Sequence, residues 1–196
     1  ASAVADAGGR AFRVAAVPDE PSVLAETVED QLVRADVLIT TGGLSIGRGD
    51  AVEDVLTPLG PVRFDAVAMT PGRRLGVGTV ESTPIFCLPG DPVSAQIAFE
   101  TFVRPAVRQI AGRRELHRSC LPASISTGWH SPPEKREFVP VRLTGSPSRG
   151  YTAEPTSPPG TTRLLGLARA NAIAIVPETT CTVVAGDVLR CLLLDA

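Results

Sequence analysis

The chain has 196 residues, 43% of them apolar and 20% charged, with a formal net charge of −2. That is enough apolar mass for one or two compact domains and too much for a disordered chain. The slight acidity argues against nucleic acid as the main partner. No run approaches the roughly 20 continuous apolar residues that span a bilayer, and the first residues do not have the form of a signal peptide. A soluble, cytoplasmic protein is expected. Eighteen glycines and eighteen prolines exclude a plain helix bundle and imply many tight turns.

Residues 1–7 read as the end of a helix stopped by Gly8-Gly9. Residues 12–17 (FRVAAV) predict a strand, and Pro18 to Pro21 a turn. Leu24, Val28 and Leu32 recur every four positions and predict a helix from Ser22 to Ala35. Val37–Thr40 suits a buried parallel strand. A glycine-rich loop follows, Thr41–Gly49, and Asp50 with Glu53 has the form of a helix cap with its reciprocal glutamate. That helix ends between Pro58 and Pro61. Residues 62–69 and 84–88 predict further strands. Asp91 with Pro92 starts a helix that runs to about Ala111. Strands alternating with helices predict an α/β domain built on a parallel sheet. Because a helix tail comes before the first strand, a preceding strand looks to be absent.

The pattern changes after about Arg114. Short apolar runs such as Phe138–Leu143, Ala172–Val176 and Val188–Leu194 are broken by Pro, Gly, Ser and Thr. They predict a small all-β, barrel-like domain with a hairpin turn at Ser146–Gly150 and a longer loop at Ser157–Thr162. The domains are expected at residues 1–115 and 116–196.

Four cysteines without a C-x-x-C pair read as buried, reduced thiols. His117-x-x-Cys120 with His130 fits no common zinc spacing. Two loops carry the chemistry. Thr41–Asp50 lies between a strand and a helix. Its Gly42-x4-Gly47 resembles a phosphate loop, but Arg48-Gly49 replaces the lysine and hydroxyl that such a loop requires. Gly43-x-Ser45-x-Gly47 matches a nucleophile elbow, and Ser45 would then need an acid and a later histidine; a serine hydrolase is the remote alternative. Leu88–Ser94 is a second strand–turn–helix loop. Two such loops at strand ends of one open sheet should converge on a crevice, the place where such sheets bind ligands. Pro71-Gly-Arg73-Arg74 adds cations suited to a phosphate or oxyanion.

These elements, in this order, resemble the molybdopterin molybdenumtransferase family and the related C-terminal part of gephyrin. The family pattern is T-G-G-x-S-x-G-x-x-D, then P-G-K-P, then L-P-G-N-P-V-S. Here these stand as Thr41–Asp50, Pro71–Arg74 and Leu88–Ser94, with Val17-Pro-Asp19-Glu20 upstream and Arg136-Glu137-Phe138 and Ala170-Asn171-Ala172 downstream. The resemblance implies a three-layer molybdopterin-binding (MogA-like) α/β domain without its first strand, followed by the small all-β domain. It also implies that the chain corresponds to the C-terminal half of the enzyme.

By the same resemblance, the reaction inserts molybdate into adenylylated molybdopterin and releases AMP, with Mg²⁺ assisting. Asp50 and Asp19 would be its catalytic carboxylates, and Asp50 a metal ligand. Gly42, Gly43, Ser45 and Gly47 would line one wall of the substrate site, Pro89, Gly90, Asp91, Pro92 and Ser94 the other, and Arg73 would supply a cation. The full-length protein would be a homodimer, with the molybdopterin adenylyltransferase as a partner enzyme. Asp91 stands where the family has asparagine, and Arg73-Arg74 where it has Lys-Pro. A non-catalytic, gephyrin-like scaffold or molybdopterin-binding homologue is the alternative. Adenylylation of molybdopterin by the same α/β fold is a further one, disfavoured by the attached β domain.

Overall fold

The computed structural model describes residues 1–44 and 51–194. Ser45, Gly47 and Asp50 lie outside the described residues. Two compact units divide the chain: Ala1–Val67 with Arg74–Leu116, and Ala68–Arg73 with the residues from His117 onward.

The first unit contains α1 (Ser2–Asp6), α2 (Pro21–Leu32), β1 (Leu38–Thr41), α3 (Ala51–Leu59) and β2 (Val62–Ala66). The short β3 (Met69–Thr70) belongs to the second unit, and the chain then returns to the first for β4 (Arg74–Val80) and β5 (Thr83–Leu88). One helix follows over Pro92–Ile110: α4 (Pro92–Ala98), a π turn (Phe99–Val103) and α5 (Arg104–Ile110). Pro105 has no N–H to give to Thr101, which accounts for the wider turn just before it.

The sheet order is β1-β5-β4-β2. Only β1 and β5 run parallel, with Leu38 opposite Ile85 and Thr41 opposite Leu88. β4 is antiparallel to both β5 and β2. The sheet is therefore mixed, and the expectation of a parallel one is corrected. Its cause is β4, which the sequence reading passed over and which joins β5 through the two-residue turn Glu81-Ser82.

Residues 12–17 are the second correction. They form no strand, and Phe12 and Val14 are exposed. A strand exists only by pairing with a neighbour, and the outer edge of β1 has no partner among the described residues.

Side chains alternate along β5. Ile85 and Cys87 face a core built with Leu24, Val28, Val52 and Leu56 of α2 and α3. Phe86 and Leu88 face a second core with Ala7, Phe99, Val103 and Val107. Helices thus cover both faces of the sheet, giving three layers. Among the described residues no helix is long and apolar enough to cross a membrane.

The second unit holds β6 (Cys120–Ile125), β7 (Trp129–His130), β8 (Arg136–Ser146), β9 (Gly150–Pro155), α6 (Leu164–Arg169), β10 (Ala172–Val176), β11 (Thr182–Val183) and β12 (Val188–Leu193). The strand order is β10-β12-β6-β9-β8, and β8 pairs back to β10, which closes a five-stranded barrel. β3 adds to the barrel alongside β8, with Met69 opposite Arg136 and Thr70 opposite Glu137. Ala123, Ile125, Val139, Val141, Ala174 and Val176 fill the interior. The Ser146–Gly150 hairpin lies where the sequence placed it.

Candidate functional site

β1 and β5 are parallel neighbours, so the loops leaving their carboxyl ends start side by side. The structure brings the two loops into contact, as the motif spacing led us to expect. Gly42 N–H donates to the Leu88 carbonyl at 3.0 Å. A Cβ placed on Gly90 would lie 3.3 Å from Gly42 Cα, so the backbones touch and leave little room for side chains.

Gly43 is fixed for two reasons. Its φ of +67° lies in the left-handed region, and an added Cβ would come within 2.4 Å of Val52 Cγ2 on α3. Gly43→Ala is expected to cost the first unit about 2 kcal/mol, from backbone strain and overpacking together. Urea unfolding followed by far-UV circular dichroism reads that loss, and pairing the change with Val52→Ala should return the overpacking part.

At the second loop, Asp91 acts as the N-cap of α4 and does not itself line the cavity. Its Oδ1 accepts from Ser94 N–H at 2.8 Å and from the Ser94 hydroxyl at 2.7 Å. Ser94 is buried and committed to that cap, while Pro89 is half-buried and Gly90 and Pro92 are exposed. Thr41, Gly42, Gly43, Asp19 and the helix at Pro92–Phe99 border one cavity of about 1000 Å³, at the upper end of what small-molecule sites use. Asp19 is exposed at its edge. Among the described residues no three His, Cys, Asp or Glu side chains cluster as metal ligands.

The two arginines of the third motif separate. Arg73 is exposed and belongs to the second unit, on the segment that pairs with β8. Arg74 belongs to the first unit, where its guanidinium pairs with Glu53. Glu53, which the sequence suggested as the reciprocal half of a helix cap, is thus engaged with Arg74.

The cysteines divide as well. Cys87 and Cys191 are buried, Cys120 is half-buried and Cys181 is exposed; all four are free thiols. The expectation of buried thiols fails at Cys181, which lies just before the short edge strand β11. Burial pushes the Cys87 thiol up to about 11, against the opposing pull of the Thr40 hydroxyl. Cys191 is likewise raised to about 11, by burial first and by the neighbouring Cys120 second.

Sequence reasoning missed one polar feature beside the cavity: Gln96, Glu100 and Arg104 on the long helix. Its signal was present as two i,i+4 steps, Gln96–Glu100 and Glu100–Arg104.

The model of a probable molybdopterin binding domain matches residues 1–109, and that of the MoeA C-terminal region (domain IV) matches residues 122–194. The chain belongs to the molybdopterin molybdenumtransferase (MoeA) family. It is 35% identical to Molybdopterin molybdenumtransferase 2 of Mycobacterium tuberculosis, over 97% of this chain and 48% of that protein. Molybdopterin molybdenumtransferase 1 of the same organism is 33% identical over 96% and 46%. A crystal structure of the molybdopterin biosynthesis moea protein from Pyrococcus horikosii has a TM-score of 0.83 at 25% identity, covering 100% of this chain and 46% of that one. The chain therefore spans about half the length of the curated relatives it matches.

Proposed function

We propose that this chain carries the molybdopterin-binding and C-terminal β domains of a molybdopterin molybdenumtransferase, as residues 1–115 and 116–196. Molybdate is transferred to adenylylated molybdopterin and AMP leaves. The observation that supports this most is the contact between the Gly42-Gly43 loop and the Leu88–Ser94 loop at the carboxyl ends of neighbouring parallel strands. Ligands of open α/β sheets bind at that end.

In this reading Gly42, Gly43, Ser45 and Gly47 receive the phosphate and oxyanion end of the substrate. Pro89, Gly90, Asp91, Pro92 and Ser94 form the facing wall. Asp19 and Asp50 are the acidic pair. Two carboxylates suit Mg²⁺, which takes one or two of them and fills its octahedron with phosphate oxygens and water; bound there, it would neutralise phosphate charge. The protein works in the cytoplasm, as a homodimer at full length, and takes its substrate from the adenylyltransferase.

Asp91 gives this reading its sharpest test. As a helix cap it equals asparagine, so the fold tolerates either. As a neighbour of molybdate it adds like charge, about 1 kcal/mol or roughly fivefold in affinity. Calorimetric titration of molybdate, with Mg²⁺ and a non-hydrolysable molybdopterin-AMP mimic, should show binding, tightened about fivefold in Asp91→Asn. A folded chain that binds in neither form would overturn the proposal for these residues; binding without turnover in the full-length protein would favour the scaffold reading.

A further inference from the structure

The helix over Pro92–Ile110 carries a polar ladder whose direction is chemically fixed. Gln96 Nε2 donates to Glu100 Oε1 at 3.0 Å. Arg104 Nε donates to Glu100 Oε2 at 2.7 Å, and Arg104 also pairs with Asp6 of α1. Glu100 and Arg104 are 3% and 4% exposed. Gln96 is half-buried and borders the cavity together with Ala95, Phe99, Gly42 and Gly43.

A guanidinium has only donors, so the carboxylate it holds is an acceptor. Gln96 must therefore turn its NH₂ toward Glu100, because the flipped amide would set a carbonyl against a carboxylate. The Gln96 carbonyl oxygen then projects away from Glu100. No donor from any described residue reaches it, and it is not among the buried polar atoms sealed from solvent. A buried ion pair thus orients one acceptor on a residue that borders a cavity of mixed polar and apolar lining.

We propose that Gln96 Oε1 is a specificity-determining acceptor that reads the amine–lactam N–H edge of a pterin-type heterocycle, with Glu100 and Arg104 as its positioning residues. This rests on the molybdopterin-binding reading above and adds which side chain selects the ring. A ring with acceptors alone on that edge would meet acceptor facing acceptor and be rejected. The apolar side chains around Gln96, with Phe99 among them, suit the flat faces of such a ring.

The test uses pterin fluorescence with the chain as it is. The probes are pterin itself and 2-dimethylamino-3-methylpteridin-4-one, which lacks the donors on that edge. The unaltered protein should bind pterin about five- to tenfold tighter than the methylated probe, the value of one hydrogen bond with its partner otherwise unpaired. Gln96→Met, similar in length and without an amide, should bind both equally, the loss falling on pterin alone. Gln96→Leu is the second variant, and circular dichroism confirms that each is folded. Discrimination that persists in folded Gln96→Met or Gln96→Leu overturns the Gln96 assignment and leaves the molybdopterin reading standing. Absence of pterin binding by the unaltered protein overturns both.

Discussion

Arg104→Met is expected to destabilise the first unit by about 3–5 kcal/mol, the usual cost of removing one partner from a buried ion pair. Arg104 is 4% exposed and answers two carboxylates, Glu100 in its own helix and Asp6 in α1. Without it, the buried Glu100 carboxylate loses its guanidinium partner, and α1 loses this ion pair with the long helix. The loss should shrink sharply in the double variant Arg104→Met with Glu100→Leu, because replacing both ions with apolar groups removes the desolvation cost as well.

The two units can be read separately in one sample. The only tryptophan, Trp129, sits in the second unit, and among the described residues every helix except α6 sits in the first. Far-UV circular dichroism should report the early unfolding while Trp129 fluorescence stays at its unaltered midpoint. A single-variant cost below about 1 kcal/mol would show that the ladder is solvated and that Arg104 does not hold it, since only exposed pairs are that weak.

What the sequence made legible and what it hid have physical reasons. Elements with an internal signature were placed well: α2 by its four-residue apolar spacing, β10 by its run of Ala172–Val176, and the start of α4 by Asp91-Pro92. β4 was hidden because Gly76 and Gly78 interrupt it, and glycine reads as a turn. Those glycines are there for close approach. A Cβ on Gly76 would meet the Phe64 ring at 2.5 Å, and one on Gly78 the Pro61 carbonyl at 2.2 Å. Residues 12–17 show the opposite error: apolar, β-favouring composition described a strand, and no pairing partner stands beside it among the described residues.

The site followed the same division. The contact of the two glycine loops was foreseeable, since both begin at strand ends and the order of the elements made those strands neighbours. The allegiance of Arg73 was not, because it depends on β3 leaving one unit to pair with β8 of the other. Nor was the direction of the Gln96 amide, which depends on a π turn and a guanidinium two helical steps away.

The largest pH effect is expected on the alkaline side, where each unit contains one buried thiol. Cys87 serves the first and Cys191 the second, and burial raises both from the ordinary 9.0 to about 11. For an acid, a raised value means that the folded state holds its proton more firmly than the unfolded chain. Below pH 9 both states are protonated and stability is intact. Between pH 9 and 11 the unfolded chain releases the proton and the folded one does not, so stability falls as pH rises. Two units of separation correspond to at most about 2–3 kcal/mol per thiol.

Few other groups confuse this window. The sole lysine, Lys135, and the sole tyrosine, Tyr151, both lie in the second unit, and arginine stays charged throughout. The first unit therefore offers a nearly pure cysteine titration. Urea midpoints by circular dichroism should decline across the window in the unaltered protein and stay level in Cys87→Ala, offset by the small cavity that change leaves. Parallel declines in the two proteins would show that Cys87 is not the group responsible. Cys191→Ala should have no effect on that probe, since its thiol belongs to the barrel that Trp129 reports.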